Sequence, residues 1–130
     1  MNRQVIVLVV DDESMIRDCI SAFLEDEGCT VITSVSAEEA LLRIGDIAPA
    51  VCITDMLLPG MNGESFILNA HEICPGTHFL IHTGALYILS DELRAIGMTP
   101  SDVLLKPVHD LSLIMARITC LISDRSSGNA

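Results

Sequence analysis

The sequence has few aromatic and few basic residues, and both shortages limit what the protein can bind. Among 130 residues there are three phenylalanines, one tyrosine and no tryptophan. The chain has seven lysines and arginines but eighteen aspartates and glutamates, which gives a formal net charge of −11. Nucleic acids are held by basic side chains on phosphates and by aromatic rings stacked on bases. The composition therefore argues against direct nucleic-acid binding.

The chain also lacks a long hydrophobic run and a paired pattern of cysteines. Half of its residues are hydrophobic, but no apolar stretch approaches the roughly 18 residues that a membrane-spanning helix requires. Asp11, Asp12 and Glu13 interrupt the first apolar run before it could serve as a signal peptide. The five cysteines are odd in number, scattered and without a CxxC spacing, which predicts reduced thiols. Together these features predict a cytoplasmic protein without membrane insertion.

What the chain does contain is a series of short apolar runs that alternate with segments of helical periodicity. The runs Val5–Val10, Ala50–Thr54 and Val103–Leu105 are almost continuously apolar, as expected for strands buried on both faces of a parallel sheet. Amphipathic segments such as Met15–Leu24 and Leu111–Ile122 repeat apolar residues at helical spacing. Five such βα units predict a doubly wound α/β fold with a five-stranded parallel sheet and five helices.

Capping and turn residues predict where the helices and the domain end. Gly28 is placed to end the first helix, and Gly45–Pro49 brackets the exit of the second. Ser36–Glu39 has the spacing of a capping box at the start of that second helix. We place the folded domain at residues 1–122 and a short polar tail at residues 123–130.

Polar residues follow four of the five predicted strands. Asp11 and Asp12 follow the first strand, Asp55 the third, Thr83 the fourth and Lys106 the fifth. Because parallel strands end at one edge of the sheet, where ligands bind, we expect these side chains to converge. Clustered carboxylates repel one another unless a hard cation with oxygen ligands, most often Mg²⁺, lies between them. With a lysine and a hydroxyl to hold phosphoryl oxygens, Asp55 is the candidate nucleophile of a phosphoryl transfer.

In their order along the chain, four motifs resemble those of the receiver domains of two-component response regulators. Each motif follows a predicted strand: Val9–Glu13, Asp55–Gly63, His82–Gly84 and Leu105–Pro107. One of them alone is weak, whereas the ordered set is specific, and the resemblance runs from Val5 to about Ile122. It implies a flavodoxin-like sheet of strand order 2-1-3-4-5. It also implies an aspartyl phosphate, formed from the phosphohistidine of a sensor histidine kinase, and Mg²⁺ as cofactor.

The resemblance assigns a role to each matching residue. The implied metal ligands and their neighbours are Asp11, Asp12, Asp55 and the carbonyl oxygen of Leu57. Asp55 is the implied phosphoacceptor, Thr83 and Lys106 are implied to contact the phosphoryl oxygens, and the Lys106–Pro107 peptide is expected to be cis.

The resemblance also implies the kind of partner and the kind of activity. The partners would be a sensor histidine kinase or a phosphotransfer protein on one side and an unidentified downstream protein on the other, with homodimerisation left open. Such a domain is not an enzyme, because it catalyses only its own phosphorylation and dephosphorylation.

The chain departs from the family pattern in three places. Receivers usually carry tyrosine or phenylalanine three residues before the lysine, where this chain has Val103, so the usual coupling of threonine to an aromatic ring is not expected. The segment Met98–Asp102 is longer than the usual link, which predicts a reshaped surface beside the fifth strand. Asn62 replaces a common aspartate at a turn position that suits either residue. The histidines are given no role: His71, His78, His82 and His109.

Two other functions stay open. A degenerate receiver that acts only as a protein-interaction module is favoured by Val103 and opposed by the intact acidic, threonine and lysine set. A Mg²⁺-dependent phosphatase of the haloacid dehalogenase type also uses an aspartate nucleophile. That family needs a second aspartate two residues after the nucleophile, where this chain has Leu57.

Overall fold

The structure is a computed structural model that describes residues 4–84, 86–106 and 110–127. Strands and helices alternate along the chain, and a 3₁₀ turn, Pro100–Asp102, precedes the last strand. In chain order the elements are β1 (Ile6–Val10), α1 (Ser14–Asp26), β2 (Thr30–Ser34), α2 (Ala37–Ile47), β3 (Val51–Thr54), α3 (Gly63–Ile73), β4 (His78–Thr83), α4 (Asp91–Ala95), β5 (Val103–Leu105) and α5 (Ser112–Ser127). Within these ranges no helix is both long enough and apolar enough to cross a membrane.

The five strands form one parallel sheet in the order β2-β1-β3-β4-β5. The predicted doubly wound α/β architecture and its strand order are therefore confirmed. The register pairs Val10 of β1 with Thr54 of β3, and Thr54 with Ile81 of β4. Consequently the residues that follow β1 and β3 leave the sheet at the same level and on neighbouring strands.

Side chains alternate along each strand and so build a core on each face of the sheet. Leu8 and Val10 of β1 belong to the core beneath α2, α3 and α4. Val7 and Val9 belong to the core beneath α1 and α5. All four are at most 1% exposed, and burying one such side chain fully stabilises the fold by roughly 1.5–3 kcal/mol. Because both faces are covered, the ends of the strands are where polar chemistry can be placed.

Helix α2 ends between the two residues that the sequence predicts to bracket its exit. It continues through Gly45 to Ile47, and its C-cap is Ala48, whose φ is +47°, so the predicted exit between Gly45 and Pro49 is confirmed. A Cβ added to Gly45 would lie 3.4 Å from Cγ2 of Ile73. The glycine therefore permits close packing of α2 on α3, rather than a turn.

The other predicted helix ends are partly confirmed. Gly28 follows α1 with a φ of +96°, as expected for a helix end. At the start of α2, Ser36 Oγ accepts a hydrogen bond from the Glu39 N–H at 3.1 Å. The Glu39 carboxylate accepts from the N–H of Val35 at 3.3 Å, and not from that of Ser36, so only half of the predicted capping box forms. Helix α5 continues through Ser127, so the first part of the polar tail is helical.

The long link before β5 is fixed to α5 by a partly buried ion pair. Asp102, 3% exposed, accepts a hydrogen bond from the N–H of Thr99 at 2.9 Å. Its other oxygen accepts from Nε of Arg117 in α5 at 2.9 Å. The link that the sequence predicts to be reshaped is thus an ordered 3₁₀ turn held on a helix.

Replacing Arg117 with methionine tests this contact. The free energy of unfolding should fall by about 2 kcal/mol, because the Asp102 carboxylate would stay buried after its charged donor is removed. Urea denaturation measures the loss.

A control is Arg43→Met, which removes an arginine whose ion pair with Glu39 is exposed, with side chains 43% and 44% accessible. Arg43 also donates to the Thr33 carbonyl and to Ser34 Oγ in the edge strand β2. That change should cost less than about 1 kcal/mol. Equal losses in the two variants would contradict a special role for the Asp102–Arg117 pair.

Candidate functional site

The candidate residues meet at the carboxyl end of the sheet. The Asp55 N–H extends the strand ladder by donating to the Val10 carbonyl at 3.2 Å. Asp11, Asp55 and Thr83 are buried, at 2%, 7% and 0% exposure, whereas Asp12 is exposed. Burial concentrates the charge of the first two carboxylates in a region of low dielectric constant, where their interactions are strong.

Lys106 is the only lysine of the chain, and its ammonium group lies among three carboxylates. Its Nζ is 2.7 Å from Oδ2 of Asp55, 2.9 Å from Oδ2 of Asp11 and 2.9 Å from Oε1 of Glu13. The Lys106 N–H also donates to the Thr83 carbonyl at 2.8 Å. The strand ladder thus aims the lysine side chain back across the sheet, and one cation offsets part of the repulsion among three anions.

Asp55 is held by hydrogen bonds on both of its carboxylate oxygens. The Leu57 N–H donates to Oδ1 at 3.1 Å, and Lys106 donates to Oδ2 at 2.7 Å. The Thr83 hydroxyl lies close enough to the carboxylate to contribute to lowering its pKa. On the other side, a Cβ added to Gly63 would lie 2.5 Å from the Asp55 carbonyl oxygen. Only glycine lets α3 start this close to the backbone of Asp55.

The contacts shift the pKa values of the ion pair in opposite directions. Burial alone would raise the pKa of Asp55, but the Lys106 and Leu57 hydrogen bonds and the Lys106 charge lower it below its ordinary value. Burial would lower the pKa of Lys106, but hydrogen bonds to Asp55, Asp11 and Glu13 raise it. At neutral pH the carboxylate is therefore anionic and the amine is cationic.

Three aspartates supply oxygen donors for a divalent cation. One carboxylate oxygen each from Asp11, Asp12 and Asp55 lies within 4.8 Å of the others. Across residues 4–84, 86–106 and 110–127, this is the one group of three or more acidic, histidine or cysteine side chains so arranged. Hard oxygen donors at this spacing fit Mg²⁺, which usually keeps several of its waters.

Two residues of the site were not predicted as functional from the sequence. Glu13 contacts Lys106. Its position directly after Asp11 and Asp12 in the sequence could have indicated that it belongs to the same acidic cluster. His82 is 3% exposed, and neither ring nitrogen has a hydrogen-bond partner among the residues that the structure describes. Burial first, and then the charge of Lys106, lower the pKa of His82. A polar residue inside an apolar strand was the signal for it.

Several expectations lie outside the described residues. Pro107 and His109 are not described, so the expected cis peptide bond stays a prediction. Leu57 is described, but the role of its carbonyl oxygen as a metal ligand stays a prediction. The Leu57 side chain is 66% exposed, and its backbone N–H donates to Asp55.

Comparisons with known proteins give a consistent result. The sequence model of the response regulator receiver domain matches residues 7–119. An uncharacterised 14.6 kDa protein of Leptolyngbya boryana is 35% identical over 112 residues, which are 85% of this chain and 86% of that protein. The regulator of RpoS of Escherichia coli is 28% identical over 116 residues, which are 88% of this chain. The chain spans only about a third of that relative, at 34% of its length.

A solved structure agrees with the sequence relatives. The chemotaxis response regulator CheY4 of Vibrio cholerae has a TM-score of 0.78 and 26% sequence identity, and the match covers 92% of this chain and 99% of that one.

Replacing Lys106 with methionine tests the electrostatics of the site in metal-free buffer. At pH 7 the free energy of unfolding should fall by about 3 kcal/mol, because two buried carboxylates lose their cation. Because the pKa of Asp55 is lower in the folded than in the unfolded protein, its carboxylate stabilises the fold at pH values above the unfolded-state pKa. This stabilisation is lost as the pH falls through the folded-state pKa. Because the pKa of Lys106 is higher in the folded than in the unfolded protein, its ammonium group stabilises the fold at pH values below the unfolded-state pKa. This stabilisation is lost only at strongly alkaline pH.

The difference between wild type and Lys106→Met should therefore be largest near neutral pH and shrink as the pH falls below about 4. Chemical denaturation across this range measures it. Lys106→Arg, which keeps the charge, should lose less stability than Lys106→Met at pH 7. A pH-independent difference would show that the lysine acts through packing alone.

Proposed function

The chain belongs to the response regulator receiver domain family, and we propose that it accepts a phosphoryl group on Asp55. The donor would be the phosphohistidine of a sensor histidine kinase or of a phosphotransfer protein. Asp55 would attack phosphorus as the P–N bond to the histidine breaks, and the released imidazole would take up a proton. The observation that carries the proposal is the buried Asp55 carboxylate, bound at 2.7 Å by the only lysine of the chain.

The groups around Asp55 suit the charge that such a transfer creates. The nucleophile is anionic because its pKa is lowered by Lys106 and by the Leu57 N–H. In the transferring group, negative charge is spread over the oxygens of the phosphoryl group, and prearranged donors stabilise it. Lys106 Nζ, which already donates to Asp55, and the nearby Thr83 hydroxyl would supply these donors.

Mg²⁺ is part of the proposal because one lysine cannot neutralise four acidic groups. When bound, the cation would supply positive charge that lets an anionic phosphoryl group approach the carboxylates. Asp12, Asp55 and the carbonyl of Leu57 would bind it, and Asp11 would lie beside it. Since Lys106 contacts Asp11 and Asp55, its ammonium group and the cation would share the same charges.

The biological setting follows from the family. Receiver domains belong to two-component systems, in which they are signalling domains. For this chain we propose a cytoplasmic location, in keeping with its five free cysteines, and a downstream protein partner that distinguishes the phosphorylated from the free state. We propose residues 1–122 as the receiver and 123–130 as its tail. Any further activity would depend on a longer protein, as in relatives of which the chain spans about half, at 52% and 53% of their length.

The first test is phosphorylation by a small donor. Purified protein incubated with Mg²⁺ and acetyl phosphate should gain one phosphoryl group, detected by intact-mass spectrometry and lost on brief treatment with hydroxylamine. Asp55→Asn should gain none, because the nucleophile is removed. Asp26→Asn, a matched change at an exposed site, should react like wild type. An unmodified wild type at saturating donor would favour the interaction-module alternative.

The second test is stabilisation by Mg²⁺. Because a ligand that binds only the folded state stabilises it, Mg²⁺ at ten times its dissociation constant should add about 1.4 kcal/mol and raise Tm. Asp12→Ala should abolish this effect and should also stabilise the metal-free protein, since one of the clustered anions is gone. Differential scanning calorimetry at matched ionic strength measures both, with Asp26→Asn as control. Equal Tm values with and without Mg²⁺ would count against the metal site.

A further inference from the structure

Glu13 is bound to the acidic site through both its backbone and its side chain. Its N–H donates to Oδ1 of Asp11 at 2.9 Å, and its Oε1 accepts a hydrogen bond from Nζ of Lys106 at 2.9 Å. The Glu13 side chain is 61% exposed, whereas the side chains of Asp11 and Asp55 are 3% and 8% exposed. Of the three carboxylates around Lys106, Glu13 is therefore the one that water reaches most easily.

These three carboxylates occupy the whole donor capacity of the lysine. An ammonium group has three N–H donors, and Nζ of Lys106 lies within hydrogen-bond distance of Asp55, Asp11 and Glu13. Lys106 is also the only lysine of the chain. A phosphoryl group bound to Asp55 would therefore gain a donor from this lysine only if one of the three existing contacts breaks.

The contact with Glu13 is the one that breaks at the lowest cost. Asp11 is 2% exposed, so removing its cation would leave a buried carboxylate uncompensated, which is strongly destabilising. Asp55 would itself carry the phosphoryl group, so a donor that moves from its carboxylate to that group stays beside it. The exposed Glu13 carboxylate exchanges its lysine contact for water, and exposed ion pairs contribute little to stability.

Glu13 also has a second place for its carboxylate. It is the N-cap residue of α1, yet among the described residues its side chain accepts no hydrogen bond from the first turn of that helix, which contains no acidic residue. The N–H groups at the start of a helix, together with the helix dipole, attract a negative charge. A carboxylate released from Lys106 is therefore also stabilised at the start of α1.

We propose that Glu13 competes with a phosphoryl group on Asp55 for the ammonium group of Lys106, and so limits how completely Asp55 is phosphorylated. The inference rests on the proposed function. In the free protein Glu13 holds Lys106 in its resting position, and in the phosphorylated protein the lysine donor passes from Glu13 to a phosphoryl oxygen. Glu13 is a positioning residue, because it acts on the phosphoryl group through Lys106.

The test measures the affinity of the protein for beryllium trifluoride, a stable analogue that binds an aspartate carboxylate in place of a phosphoryl group. An NMR titration of backbone amide signals, at saturating Mg²⁺ and fixed ionic strength, gives the dissociation constant. Glu13→Gln should bind the analogue about two- to five-fold more tightly than wild type, which is the range expected for the loss of one exposed ion pair. Equal affinities would overturn the competition.

Two further variants separate the lysine contact from a general effect of charge. Glu13→Asp keeps the charge but shortens the side chain by one methylene group, and aspartate is among the preferred N-cap residues. It should release Lys106 and bind the analogue as tightly as Glu13→Gln. Asp18→Asn removes an exposed carboxylate in the second turn of α1 that is not one of the three acceptors of Lys106, and it should match wild type. Tighter binding in Glu13→Gln but not in Glu13→Asp, or an equal gain in Asp18→Asn, would overturn the proposal.

Intact-mass spectrometry with acetyl phosphate distinguishes a failure of this inference from a failure of the proposed function. A wild-type protein that forms no adduct and binds no analogue would overturn both. A wild-type protein that forms the adduct, with Glu13 variants that bind the analogue as wild type does, would overturn the competition alone.

Discussion

The ammonium group of Lys106 is the contact on which the functional end of this molecule depends. It lies within 2.9 Å of carboxylate oxygens from Asp11, Glu13 and Asp55, two of which are buried. Without a cation these acids could stay charged only at a high electrostatic cost, and protonation of Asp55 would remove the proposed nucleophile. The same ammonium group is the one that phosphoryl oxygens would attract. The contact that stabilises the resting fold is therefore also the contact that a phosphoryl group would have to rearrange.

The backbone pairing of the strands brings the residues of this contact together, whatever rotamers their side chains adopt. Parallel pairing of β1 with β3 places Asp11 and Asp55 at the same level, because Val10 lies opposite Thr54. Pairing of β4 with β5 sets Thr83 opposite Leu105, so Lys106 follows directly behind the threonine. Since both faces of the sheet are covered by helices, these residues share the one edge where water and a partner can enter.

Strand positions could be read from the sequence because buried strands are apolar along their whole length and stop at a polar residue, as at Asp11 and Asp55. Contacts between elements that are distant in the sequence could not be predicted from such local patterns. Glycine is common just after a helix, but Gly45 lies inside α2, where it lets the helix pack closely on Ile73 of α3. Leu89 fits the helical period of α4, yet the helix starts only at Asp91, where Ser90 caps it. The contact of Lys106 with Glu13 depends on a side chain that reaches from the end of β5, past β4 and β3, to the residues after β1, which no local pattern encodes.

The two connections on either side of α4 differ in how firmly they are held. The link before β5 is fixed by Asp102, which accepts hydrogen bonds from both Thr99 and Arg117 of α5, so a movement of this link would break an ion pair whose carboxylate is buried. The other connection follows β4. In the part of this connection that the structure describes, the Tyr87 hydroxyl donates a hydrogen bond to Glu64 of α3, and both side chains are only half-buried. Because the charged Asp102 carboxylate is buried, displacing the link before β5 would cost more free energy than displacing the connection after β4.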